Sequence, residues 1–510
     1  MNGSMVRKSA RAALLSALLS ASVLAAGAVG AETINIAQNF DPQTLWPNGT
    51  TASDNLNAGS AMVEALLWQN PATGGIEPLL ATEVEMVSPT EALVSLREGV
   101  SFTNGEPMNA DAVVKSIEIF MDKNLTPAYA RVADLFASVE KVGNLKVRIT
   151  LSDSYPAFML ALSQIAVIPP AYWDEVGLEA YGQKPIGTGP FVFESWVRDD
   201  RLVMSANPNY WGEAPAGITE LVWRPVPDDS ARLAGLQTGE YQVVKDLPVS
   251  SIPVLENDAA VTLVTVPSYR IYQIGLASQP DHVSPLQNVK VRQALNYAVD
   301  SQTIIDALFF GRAIPLHGQV LREPQQGFNT DIDDFGYDPE KARGMLAEAG
   351  YPDGFEITFK CPSGRYAQDR EVCEAVAGML ADVGVKAELI LLEPGEFLRQ
   401  LRTMELAPMY YVGLAPQDDP GFQASQYLSD WRYSPIASPE MDALINAGAT
   451  ESNPEKRAQI YRDLMALMHE LSPIIFLYGG VDIYGTDARL TGFQPRGDGR
   501  MFLYNTALKP

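Results

Sequence analysis

Cysteine and histidine are nearly absent: the 510-residue chain holds two of the first and three of the second. That is too few for a Cys/His metal cluster. His282, His317 and His469 stand apart, with no H-E-x-x-H spacing. Basic residues are scarce as well. The chain has 37 Lys and Arg against 62 Asp and Glu, a formal charge of −25. An acidic surface of this kind repels nucleic acid and anionic membrane, so neither is expected as a partner. Beyond the first thirty residues no run reaches the roughly eighteen apolar residues of a membrane helix. Catalytic signatures are missing too. G-x-S-x-G and the Walker A run do not occur. Ser138–Lys141 matches S-x-x-K and Ser53–Asn55 matches S-D-N, but their order is reversed for a β-lactamase-type serine site and no K-T-G follows. Gly187-Thr188-Gly189 is followed by Pro190, which has no N–H to offer a phosphate. No nucleophile, base and oxyanion donor assemble. The chain therefore reads as no enzyme, with no cofactor and no metal.

An apolar fraction of 46% with 19% charged residues is that of a globular protein. The length suits two to four domains at roughly 150 residues each. Residues 1–31 read as a secretory signal peptide. Arg7, Lys8 and Arg11 precede an apolar run over 12–26, and Val29 and Ala31 sit at −3 and −1 of a cut before Glu32. No cysteine stands at the cut to carry a lipid anchor. A soluble, exported chain is expected, most simply in a bacterial periplasm. Export permits a disulfide. Cys361 ends an apparent strand and Cys373 lies in the first turns of the next helix, so the pair is either a bridge or two buried thiols.

Alternation predicts strands at 32–38, within 80–105, and at 146–151, 202–205 and 220–225. Residues 39–57 read as a loop. Asn109 or Asp111 caps a helix running to Phe120. After about residue 268 helices and strands alternate. One long amphipathic helix is predicted over 288–310, and a helix from Asp338-Pro339 to Gly350. The strand 355–360, a helix from about Asp369 to Gly384 and the strand 385–392 form a βαβ unit, whose strands should be parallel. A strand at 409–414, a helix from Asn453-Pro454 to Leu471 and a strand at 474–478 follow.

Several longer strings occur in one order: Gly99–Ser116 (GVSFTNGEPMNADAVVKS), Pro185–Phe191 (PIGTGPF), Asn207–Gly212 (NPNYWG), Val289–Asp300 (VKVRQALNYAVD), Tyr337–Gly354 (YDPEKARGMLAEAGYPDG) and Ser438–Leu444 (SPEMDAL). Together they resemble the extracytoplasmic solute-binding proteins of ABC importers, family 5, which includes dipeptide-, oligopeptide- and nickel-binding proteins. The resemblance implies an α/β, two-lobed periplasmic-binding-protein type II fold with a hinge between lobes. Lobe I would be 32–268 plus 479–510 and carry an inserted subdomain; lobe II would be 269–478. Asn207, Tyr210, Arg292 and Asp338 are expected to cap, turn and pack. The implied partners are a small polar solute and the permease subunits of an ABC transporter, with the protein itself a monomer.

In open α/β sheets ligands sit beyond the carboxyl ends of strands. That rule selects loops 361–370, 415–422 and 39–50. The first holds Arg365 and Arg370, the second Asp418 and Asp419, the third Trp46. Resemblance to dipeptide binders nominates Asp419 for the ligand's ammonium and Arg365 for a carboxylate or phosphate, which a planar guanidinium suits. Tyr269, Tyr272, Tyr411 and Trp431 are candidates for lining the cleft or for core packing. Asp419→Ala is expected to abolish capture without lowering the melting point. A di- or oligopeptide is the expected solute. An opine, an oligosaccharide or a sugar phosphate is the alternative, nickel chelate a lesser one, and a secreted hydrolase the reading from another class.

Overall fold

The computed structural model describes residues 32–50, 53–280, 284–414, 418–431, 433–501 and 503–509. The expected signal peptide and His282 lie outside the described residues. Among the described residues eleven strands form one mixed sheet: β1 (Glu32–Gln38), β2 (Phe191–Val197), β3 (Arg201–Ala206), β4 (Ile218–Pro225), β5 (Val243–Val244), β6 (Val261–Leu276), β7 (Ile314–Pro315), β8 (Phe355–Pro362), β9 (Val385–Leu392), β10 (Met409–Gly413) and β11 (Ile474–Asp487). Their order is β9-β8-β10-β6-β11-β5-β1-β4-β3-β2, with β7 on β11. β8 and β9 are parallel and flank the helix Asp369–Asp382, as the βαβ pattern predicts.

β6 and β11 are the long members. They pair antiparallel from Val261–Asp487 to Pro267–Val481, lose register, and resume at Ile271 opposite Gly479. Strands β1 to β5 lie to one side of this pair and β8 to β10 to the other. The break therefore falls between two halves of the sheet. Ile34, Trp46 and Trp223 belong to a core on the β1–β4 side, while a second core runs from Ile274, Val376 and Tyr411 across to Ala37 of β1 and Val244 of β5. A separate antiparallel sheet (Ala81–Ser88, Glu91–Leu96, Lys146–Leu151, Phe136–Gly143) packs against the helix Ala110–Met121. Asn109 caps that helix, accepting from the Asp111 and Ala112 amides.

Two expectations change. The single helix over 288–310 is two helices, Val289–Tyr297 and Ser301–Phe309. Asp300 is the reason: its carboxylate accepts from the Thr303 amide and starts a new helix. The loop 39–57 contains a short 3₁₀ turn at Pro47–Gly49 and enters a helix at Ser53–Ser60.

Candidate functional site

A cavity of about 510 Å³ opens where β6 and β11 lose register. Small-molecule sites span roughly 300–1,000 Å³. Both sides of the molecule build its wall. Gln69, Gly74 and Ile76 come from the hairpin Leu67–Pro78, Leu160 from the helix Phe158–Leu162, and Pro267 and Tyr269 from β6. Arg322 to Gln326 face them, with Asp418, Asp419 and Arg457.

Asp419 is heavily engaged. It caps the helix Pro420–Ser425, where Oδ1 accepts from the Gly421 amide at 2.8 Å and the Phe422 amide at 3.3 Å. Both carboxylate oxygens also accept from Arg457 Nη2 at 3.0 Å. Arg457 in turn donates to Gln326 Oε1 at 3.0 Å and to the Gly448 carbonyl at 2.9 Å. Asp418 bridges the cavity. Its Oδ2 accepts from Gln69 Nε2 at 2.6 Å. The Tyr269 hydroxyl also bonds to it. Burial pushes the Asp418 carboxyl above its ordinary value, and the Gln69 bond only partly offsets this.

Arg322 is the cation that sequence reasoning misses. It is 8% exposed, and one guanidinium nitrogen, Nη2, donates to the Ser268 carbonyl. Nε and Nη1 are buried without a hydrogen-bond partner. Burial lowers its pKa, and Tyr269 and Asp482 counter this only in part. A Cβ at Gly479 would overlap Nη1, so glycine there makes room for the guanidinium. Arg457 was equally missed, yet a signal existed. Arg457, Tyr461, Leu464, Met465 and Met468 lie at helical spacing on the buried face of Pro454–Leu471.

Of the residues nominated from sequence, the cavity brings together Asp418, Asp419 and Tyr269. It does not include the others. Tyr411 is fully buried in the core, its hydroxyl 2.7 Å from that of Tyr478. β10 is covered on both faces, so every residue in it is buried. Tyr272 stacks between the Tyr411 and Tyr478 rings. Trp46 packs on Trp173 and Tyr181 and donates to the Leu125 carbonyl at 3.2 Å. Arg365 lies over the Tyr366 ring, in a turn that Asp369 holds by accepting from the Gly364, Arg365 and Tyr366 amides. Arg370 pairs with Glu374 on an exposed helix face, and Trp431 packs on Arg131 and Tyr433. Cys361 and Cys373 are joined by a disulfide, with 6.5 Å between their Cα atoms.

The family strings have structural work elsewhere. Thr188 Oγ1 and Trp211 Nε1 donate to Glu64 Oε2 at 2.7 and 2.8 Å, and the Tyr210 hydroxyl donates to Oε1 at 2.8 Å. The strings PIGTGPF and NPNYWG thus converge on one buried carboxylate. Burial still pushes Glu64 up to about 7, against those hydrogen bonds. Arg292 donates to the Leu286 and Leu471 carbonyls, Asn207 to the Gly189 carbonyl, and Asp338 caps its helix.

Two sheet halves joined through a broken pair of long strands, with a charged cavity at the break, define a two-lobed binding protein of the periplasmic type II fold. The comparisons agree. The model of bacterial extracellular solute-binding proteins, family 5, matches residues 75–433, and the chain belongs to that family. Heme-binding protein A of Haemophilus influenzae is 30% identical over 82% of this chain and 81% of its own. The glutathione-binding protein of Salmonella typhimurium is 28% identical over 78% and 80%. Among solved structures, HbpA2 from Haemophilus parasuis superposes with a TM-score of 0.83 at 28% identity, covering 94% of this chain and 100% of that one. As a member of the family, the protein is a substrate-binding component of an ABC importer.

Proposed function

We propose that the protein captures a small peptide or peptide-like zwitterion in the cavity at the β6–β11 break, and presents it to a membrane permease without altering it. The observation that carries this reading is the cavity itself: about 510 Å³, walled by the hairpin Leu67–Pro78 and Leu160 on one side and by Arg322 to Gln326, Asp418, Asp419 and Arg457 on the other, with carboxylates and guanidiniums on its surface. Charges of both signs suit a ligand that carries both, and the volume suits a few residues rather than a long chain. The glutathione-binding relative points the same way. The lobes are 32–268 with 479–510, and 269–478, and they close about the register break. Ligand contacts from both sides then favour the closed state. Asp418, rather than the already paired Asp419, is the ammonium acceptor in this reading. The first 31 residues are a cleaved export signal, and the mature chain begins at Glu32.

Thermal shift of the purified protein against dipeptides, glutathione, opines, sugars and sugar phosphates tests the reading. The expected result is a rise with one or more peptides and no turnover by mass spectrometry. A rise with sugars alone, or a hydrolysis product, overturns it.

A further inference from the structure

We infer that Arg322, not Arg365, is the anion receptor of the cavity and takes the carboxylate of the bound solute. The inference rests on the peptide reading above and adds the atom pair that would decide it. A guanidinium this deeply buried normally spends its five N–H donors on carboxylates or carbonyls. Arg292 does so: it donates to carbonyls of Leu286, Gln287, Leu471 and Ser472. Arg457 does so with Asp419, Gln326 and Gly448. Arg322 does not. Its Nη2 is anchored on the Ser268 carbonyl, while Nε and Nη1 are buried and unpartnered in a side chain that lines the cavity. Among the described residues it forms no ion pair. Tyr269 and Asp482 offset the loss of hydration only in part.

An unmet buried guanidinium is costly unless an anion completes it. The planar fork favours a carboxylate. The position adds a consequence. Ser268 and Gly479 both sit at the break between β6 and β11, and Arg322 touches both. An anion held there is held at the hinge, where it is enclosed as the two sides approach.

The test uses the whole protein with two probes, glutathione and Ala-Ala, each as free acid and as C-terminal amide. Affinities are measured by calorimetry for wild type, R322Q, R322K and R365Q. Wild type should bind the better free acid and lose it in the amide. R322Q should weaken the free acid by about 30-fold or more, the usual result of stranding a charge, while changing the amide little. R365Q should match wild type. Equal binding of free acid by R322Q and wild type, or equal losses for acid and amide, overturns the assignment. The Nε–H resonance of Arg322, identified by its loss in R322K, gives a readout that needs no peptide. It should shift on titration with acetate, and a resonance that stays put overturns the receptor. If wild type takes neither peptide but the resonance moves, the peptide reading falls and the anion site stands.

Discussion

Glu64 and Arg322 are both ionisable, both almost free of solvent, and opposite in what surrounds them. Glu64 sits among three donors from two separate segments: Thr188, Tyr210 and Trp211 all reach its oxygens. The Arg322 guanidinium has a single bond, to Ser268, and two buried nitrogens with none. A buried charge that the fold has satisfied is there to hold segments together. One left short lines a cavity and is completed by what enters. Partner count, more than burial, separates the two roles.

Predictions follow that contrast. Glu64→Ala strands three donors inside one lobe and should cost about 3–5 kcal/mol of stability, as breaking a buried charge network does. Denaturant unfolding measures it, and a loss under 1 kcal/mol, on the same order-of-magnitude scale, would erase the distinction. Solute affinity should hold within a few-fold, since Glu64 does not line the cavity. Asp419→Ala removes a helix cap and leaves Arg457 without its carboxylate. About 2 kcal/mol is expected. That corrects the expectation of an unchanged melting point: Asp419 belongs with Glu64 as a satisfied charge.

The smallest effect is on pH dependence. Asp482 lies on β11 opposite Val266, and burial pushes it up to about 7, with Lys245 and Arg270 opposing and Asp246 adding to the shift. A carboxyl raised on folding binds its proton more tightly in the folded state. Its contribution to stability is therefore present below the ordinary carboxylate range and is lost as pH climbs through 7. Glu64 acts in the same direction. Melting temperature should fall from pH 5 to pH 8, and Asp482→Asn should flatten that slope. An unaltered slope in this variant would assign the fall to other groups.

Much of the fold was legible because its signals are local. Asn109, Asp338 and Asn453 each cap the helix that their position announced. The β8–helix–β9 unit follows from alternation and length alone. The site was legible only in part. Asp418, Asp419 and Tyr269 reach the cavity, but loops 361–370 and 39–50 do not. Asp369 folds the first back on its own amides. Trp46 is drawn into an aromatic cluster instead of a cleft. Arg322 follows Val320 and Leu321 in a stretch without periodic pattern, and nothing local distinguishes it from a surface arginine. Its meaning comes from Ser268 and Gly479, which are distant in sequence and adjacent in space.

The paired ribbon of β6 and β11 also limits which motions are open to the molecule. Each strand belongs to both sides, so sliding one past the other by a single residue would turn every inward side chain outward. Translation is thereby forbidden along the ribbon, whereas torsion about it is resisted only where hydrogen bonds continue. The few residues between Pro267 and Ile271 form the longer of two interruptions in that ladder, the other being the shift between Tyr272 and Gln273. A turn at that longer interruption, like a wrist's, leaves the paired register intact, and a shear does not.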